Sequence, residues 1–159
     1  MRQAKELLLA DIVDKATRSS MMSGIRSRNT RPEMKVRSAL HRAGFRFRLH
    51  VAGLAGKPDL VFPKHRAVLF VHGCYWHRHE GCRIASTPST NREFWLGKFE
   101  ANVKRDLQAR GVLLAAGWRV AVVWECATRK LPAESISSQV GEWLRAGGAT
   151  LEIPERARR

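Results

Sequence analysis

Cys74, His77, His79 and Cys82 fall within nine residues of one another, and Cys126 is the one other cysteine in the chain. Thiolate and imidazole donors together are the set that a tetrahedral zinc ion takes. The surrounding stretch, 73–90, contains Gly, Cys, His, Pro and Ser and has neither helical nor strand periodicity. A bound ion would explain how so long an irregular segment stays ordered. Three cysteines close no complete disulfide scheme, so the competing reading is reduced core thiols beside solvated histidines. The spacing Cys74-x4-His79-x2-Cys82 is not that of a standard finger, and it leaves His77 and His79 as alternatives for the fourth ligand. A second chemical signal is Asp59, which follows Pro58 at the start of an apolar run. Pro-Asp is a common turn dipeptide, yet a carboxylate at the mouth of a strand is also a ligand for a hard cation such as magnesium.

The charge balance says what such a site would meet. Twenty-nine Lys and Arg against 14 Asp and Glu leave a formal charge of +15. A polyanionic partner relieves that self-repulsion, and nucleic acid is the foremost candidate. An anionic membrane surface is the competitor, but no segment approaches the ~20 apolar residues that span a bilayer. The short run Leu7-Leu-Leu-Ala10 is broken at Asp11, too soon for a signal-peptide core. The expectation is a cytoplasmic, nucleoid-associated monomer with no membrane role.

These groups need a scaffold, and 159 residues at 44% hydrophobic content can supply a single core. The expected organisation is a leader over 1–13, one domain over 14–150 and a basic tail over 151–159. Asn29-Thr30, Pro32 and Glu33 mark a helix start; Val36, Leu40 and Ala43 continue it to Gly44. Strands are expected over 45–51, 59–62 and 66–71, the last two joined by a Pro63-Lys64-His65 turn. The third is almost continuously apolar, as a strand buried on both faces must be. A long helix from Asn91 carries Phe94, Phe99, Val103 and Leu107 on one side. A strand over 118–124 and a helix over 133–146 complete an α/β fold with a mixed central sheet flanked by helices, the long helix crossing between the third and fourth strands.

Several blocks then combine in order: Asp14-Lys-Ala-Thr-Arg-Ser19, Gly56-Lys-Pro-Asp59, His72-Gly-Cys-Tyr-Trp-His77, Glu93-Phe-Trp-Leu96, Asn102-Val-Lys-Arg-Asp106, Gly117-Trp-Arg-Val120 and Val123-Trp-Glu-Cys126. Together they closely resemble the very-short-patch-repair (Vsr) endonucleases, from about residue 14 to 146. The resemblance implies a restriction-endonuclease-like fold with a structural zinc. It also implies a magnesium-dependent activity that nicks double-stranded DNA 5′ of the thymine in a T·G mismatch left by deamination of 5-methylcytosine, with mismatch-repair proteins as further partners. By matching positions, Asp59 resembles the principal magnesium ligand, with the main-chain carbonyl of Val71 beside it. His72, His77 and Asp106 resemble the other active-site groups, and Glu33 an auxiliary carboxylate. Zinc then falls to Cys74, His79, Cys82 and Cys126. Tyr75 and Trp76 resemble an aromatic wedge beside the mismatch, Met22 a residue inserted from the other groove, and Lys98 and Asn102 residues near the mismatched bases.

The sequence departs from the family pattern at three places. Val71 stands where the best-known pattern has Thr, Tyr75 replaces Phe, and Glu80-Gly81 lengthens the gap before Cys82. Restriction-type nucleases also usually place Glu-x-Lys on the strand after the metal-binding Asp. Here that position reads Phe70-Val71-His72, so without a lysine His77 is the best available water activator and Asp106 could orient it. The alternatives are a zinc-stabilised DNA-binding module without catalysis and a nuclease of the same scaffold with another DNA substrate. The charge makes its own prediction. DNA affinity should fall steeply with salt, with a log–log slope of about −0.9 per phosphate neutralised; a flat response in a titration from low to physiological salt would mean that +15 is not a DNA footprint.

Overall fold

The computed structural model describes residues 16–17, 19–20 and 28–156. The expected leader over 1–13 and Met22 lie outside them. The first helix, α1 (Arg31–Arg42), starts as its residues dictate: Thr30 caps it by accepting from the Glu33 N–H, and Pro32 lies in the first turn. The Glu33 carboxylate folds back to accept the Asn29 N–H at 2.8 Å, one residue before the cap. Val36, Ala39 and Leu40 form its buried stripe.

Five strands follow: β1 (Arg48–Leu49), β2 (Leu60–Phe62), β3 (Ala67–His72), β4 (Arg119–Trp124) and β5 (Thr150–Ile153). They form one sheet in the order β1-β2-β3-β4-β5. β1, β2 and β3 pair antiparallel, whereas β3, β4 and β5 pair parallel, so the sheet is mixed. The 24-residue helix α2 (Arg92–Ala115) makes the crossover from β3 to β4. A six-residue helix, α3 (Glu125–Lys130), and α4 (Ala133–Ala146) come after β4.

Both faces of the sheet are covered. Leu60, Phe62, Leu69, Ala121 and Val123 point to α1 and α4, where Leu40, Ile136, Val140 and Trp143 meet them. Val61, Val68, Phe70, Val120 and Val122 point the other way, to Leu113 of α2 and to Cys74 and Cys126. Each fully buried Leu or Phe contributes about 1.5–3 kcal/mol. Arg119 ties β4 to the end of α4 by donating to the carbonyls of Trp143 and Leu144 in its last turn and of Gly148 just beyond it.

Four expectations need correction. The strand expected over 45–51 pairs only at Arg48–Leu49, because Phe45 and Phe47 turn into the core. The apolar side proposed for α2 is not a buried stripe: Phe99 is buried, but Phe94 and Leu107 are 64% and 62% exposed. A helix of 24 residues runs about 36 Å, while a six-residue strand beneath it runs about 20 Å. Leu113 packs on the sheet and Ala109 against Gly56, while Val103 and Leu107 border a cavity that separates them from Phe70, Val120 and Val122. β5 takes in residues 151–153, which the sequence reading gave to a tail, and Ile153 is buried. The helix α3 was not foreseen.

One turn matters for the site. Gly56 holds φ +71°, and a Cβ there would lie 2.8 Å from Ala109 Cβ and 3.2 Å from the Phe70 ring. The turn that delivers Asp59 is therefore pressed directly against α2. Gly56→Ala combines left-handed strain with a clash and should cost about 1–3 kcal/mol. A denaturant titration checks this, and a midpoint equal to wild type would contradict the packing.

Candidate active site

The parallel register sets His72 beside Trp124 at the matched ends of β3 and β4. What comes next along each strand meets in space: Cys74 after β3, and Glu125 and Cys126 after β4. The Cys74 N–H donates to Glu125 Oε2 at 3.3 Å, and the Cys126 N–H points at Cys74 Sγ at 3.4 Å. His79 Nδ1 lies 3.7 Å from Cys74 Sγ and 3.4 Å from Cys126 Sγ. The donor atoms of Cys74, His79, Cys82 and Cys126 all lie within 4.8 Å of one another.

That set fits a tetrahedral ion. With metal–sulfur bonds of ~2.3 Å and metal–nitrogen bonds of ~2.0–2.1 Å, S and N lie about 3.5 Å apart. Protonation points the same way. Burial and the neighbouring thiols push Cys74 up to about 12. Burial raises Cys126 too, while at Cys82 it is outweighed by the Ile84 and Ala85 N–H groups and the other thiols. Burial also keeps His79 neutral, as a ligand must be. A dication supplies the positive charge that would let three clustered thiols ionise. His79, not His77, joins the cluster.

His77 faces another way. Its Nδ1 lies 2.6 Å from Asp106 Oδ2 on α2, a contact in which the ring N–H donates to the carboxylate and which turns Nε2 away from Asp106. His72 stacks on His77 with ring centroids 3.9 Å apart and planes 5° from parallel. Burial, reinforced by His77, lowers His72 to about 3, so it stays neutral. Asp59 Oδ2 accepts the Val71 N–H at 2.7 Å across the β2–β3 hairpin. The contact seen at Val71 is thus through its amide. Burial raises Asp59 to about 6, with Glu33 adding to the rise and the Val71 N–H, His50 and His77 opposing it.

Glu33, His50 and Asp59 have donor atoms within 4.8 Å of one another. Two buried carboxylates this close repel unless a proton or cation sits between them, and hard oxygen donors suit magnesium. Asp59, His72, His77 and Asp106 line a cavity of ≈ 690 Å³, shared with Arg28, Lys57, Arg78, Arg110 and Arg156.

Immediately before His77 on the loop stands an aromatic group. Tyr75 and Trp76, both half-buried, meet edge to face at 5.0 Å. Trp95 of α2 closes on both, at 6.4 and 6.1 Å. Lys98 Nζ lies over Trp76 and Trp95 at 5.6 and 5.5 Å, and Asn102 Nδ2 donates to the Trp76 carbonyl at 3.1 Å. Trp95, Lys98, Asn102 and Asp106 recur at helical spacing on one face of α2. By contrast, Trp143 is buried, and Trp118 packs under Arg66.

Sequence reasoning missed Trp95, His50 and Arg78. Arg78 donates to the carbonyls of Ala85 and Ser86 and to Thr87 Oγ1, at 2.8–2.9 Å, and so braces the loop from within. For Trp95 the signal existed, as it lies three residues before Lys98. For His50 and Arg78 no local pattern marks the contact.

An imidazole paired with one carboxylate and close to others, in a cavity lined by cations, is an arrangement able to serve hydrolysis of an anionic substrate. A family model described as DNA mismatch endonuclease Vsr matches residues 10–83. The Type II nicking enzyme V.XorIIP of Xanthomonas oryzae pv. oryzae is 52% identical over 118 residues, covering 74% of this chain and 86% of that protein. DNA mismatch endonuclease Vsr of Escherichia coli is 43% identical over 148 residues, covering 91% and 94%. The Type II nicking enzyme V.NmeAIP of Neisseria meningitidis is 41% identical over 118 residues, covering 74% and 84%. This chain belongs to the DNA mismatch endonuclease Vsr family.

The thiolate cluster gives a direct test. Metal analysis of the purified protein should find about one tightly held ion per chain, and Cys82→Ser should lower both that content and the melting temperature. A metal-free preparation with an unchanged melting curve would rule the cluster out as a structural ion site.

Proposed function

We propose that this protein is a magnesium-dependent endonuclease that nicks one strand of double-stranded DNA 5′ of the thymine in a T·G mismatch arising from 5-methylcytosine deamination. We assign the restriction-endonuclease-like fold to its mixed sheet, and structural zinc to Cys74, His79, Cys82 and Cys126. The observation that carries the reading is the adjacency of two devices on one loop. Tyr75 and Trp76 immediately precede His77, whose Nδ1 is held by Asp106.

The chemistry follows from the groups present. Asp59, with Glu33 and the Val71 main chain close by, would hold magnesium, which when bound supplies charge neutralisation at the phosphate. His77 Nε2 accepts the proton of the attacking water, and Asp106 stabilises the imidazolium that results. His72, neutral and stacked on His77, fixes that ring's plane. The arginines and Lys57 around the cavity neutralise neighbouring phosphates. Tyr75 and Trp76, backed by Trp95, enter the base stack; unstacking costs a few kcal/mol and less at a mismatch, so the wedge selects as well as binds. Lys98 and Asn102 stand beside it, within reach of the displaced bases. A pure binding module would have no use for the His77–Asp106 pair beside Asp59.

The deciding experiment is nicking of matched and T·G duplexes in varied sequence contexts, with and without magnesium. T·G duplex should be nicked only with the cation, and equal cleavage of matched duplex would defeat the reading. Asp59→Ala should abolish nicking while leaving the fold and DNA binding intact, and His77→Ala should slow it about 10²–10⁴-fold. Trp76→Ala should lose about 1–3 kcal/mol of stacking on T·G duplex with little change in non-specific binding. Normal T·G nicking by a folded Trp76→Ala variant would refute the wedge.

A further inference from the structure

We propose that His50 is a nitrogen donor to the divalent cation at Asp59, making a Glu33–His50–Asp59 centre that prefers manganese(II) to magnesium. The inference rests on the reading that Asp59 holds the cation, and adds to it a ligand that no sequence pattern marks.

Strand pairing puts His50 there. Leu49 is the register partner of Leu60, and the next residues out, His50 and Asp59, continue the ladder with the His50 N–H donating to the Asp59 carbonyl at 3.4 Å. His50 adopts φ +46°, a left-handed conformation that a non-glycine residue takes only where its surroundings impose it. The result aims the imidazole back between Glu33 and Asp59.

The ring nitrogen is then left in an unusual state. Nε2 is shut off from solvent and makes no aligned hydrogen bond, although Glu33 Oε1 lies 3.1 Å away. A buried ring nitrogen held 3.1 Å from a carboxylate oxygen without a hydrogen bond to it fits a cation as the shared partner of both. The Glu33 carboxylate is positioned independently, by the Asn29 N–H at 2.8 Å and Arg37 Nη1 at 3.3 Å, so His50 is not needed to hold it. Two donors at right angles about a six-coordinate cation, each ~2.1 Å from it, lie ~3.0 Å apart. The His50–Glu33 separation has that value, and an Asp59 oxygen completes the set within 4.8 Å. An imidazole among carboxylates favours a first-row transition ion over magnesium, which takes oxygen. Manganese has little affinity for the thiolate cluster, and the other group with donor atoms within 4.8 Å of one another, His72, His77 and Asp106, is controlled by variants of its own histidines.

The test is pulsed electron paramagnetic resonance of manganese(II) added to the full-length protein. Wild type should show ¹⁴N coupling from one histidine. His50→Gln should bind manganese without that coupling and should lower the preference for manganese over magnesium about tenfold in competition. The His72→Gln and His77→Gln variants should keep the coupling, which tests the assignment even if His50→Gln does not fold. Absence of nitrogen coupling in wild type overturns the proposal, as does its persistence in His50→Gln or its loss in either of the other two variants. Asp59→Asn separates the two readings: it should bind manganese far more weakly, and undiminished binding would refute the Asp59 site itself.

Discussion

The arrangement depends on one pairing. β3 and β4 run parallel and in register, so that His72 lies beside Trp124 and each strand delivers a cysteine two residues later. Cys74 and Cys126 meet because the ladder makes them meet, and the bond from the Cys74 N–H to Glu125 fixes the approach. His79 and Cys82 close the cluster from the loop side, with the His79 ring stacked on Trp124 at 4.4 Å. The segment 73–90 is thereby fastened at its start and middle, and Arg78 fastens its second half. Everything the loop carries inherits that order: the aromatic pair, the imidazole facing Asp106 and the histidine of the cluster.

The chemistry of the site is a set of groups kept away from their ordinary protonation. Asp59 is raised to about 6 and His72 lowered to about 3, both chiefly by burial, and Cys74 is pushed up to about 12. Each shift favours the neutral form, because burial removes the water that would solvate a charge. Cations relieve the carboxylates and thiols, and the polyanionic partner relieves the surplus of +15 on the surface. The cavity combines both kinds of charge, with Asp59 and Asp106 beside Arg28, Lys57, Arg78, Arg110 and Arg156.

The parts legible in the sequence were those with local causes. Thr30 and Glu33 announce a helix start because capping acts over three residues, and Ala67–Val71 announces a doubly buried strand because every position is apolar. Clustered cysteines and histidines indicated an ion, but spacing could not choose between His77 and His79, since that depends on which way the chain turns after Cys74. The family resemblance pointed to His79, and the geometry agrees. The stripe on α2 misled because periodicity reports a face without saying what covers it: Leu107 borders the open cavity, and Trp95 packs with Tyr75 and Trp76. β5 escaped notice because Thr150–Ile153 offers only two strongly apolar residues and is buried through its partner, β4. His50 carries no local signal, and its place between two carboxylates exists only once β1 is paired with β2.

The central claim is that an ion in the thiolate cluster holds the loop that carries both recognition and catalysis. Hydrogen exchange resolved along the chain, before and after the cluster is stripped with a chelator, tests it most directly. Amides over 73–90 should lose protection on stripping while those of β3 and β4 keep theirs, and readding zinc should restore the pattern. Unchanged protection over 73–90 in the stripped protein would contradict the account.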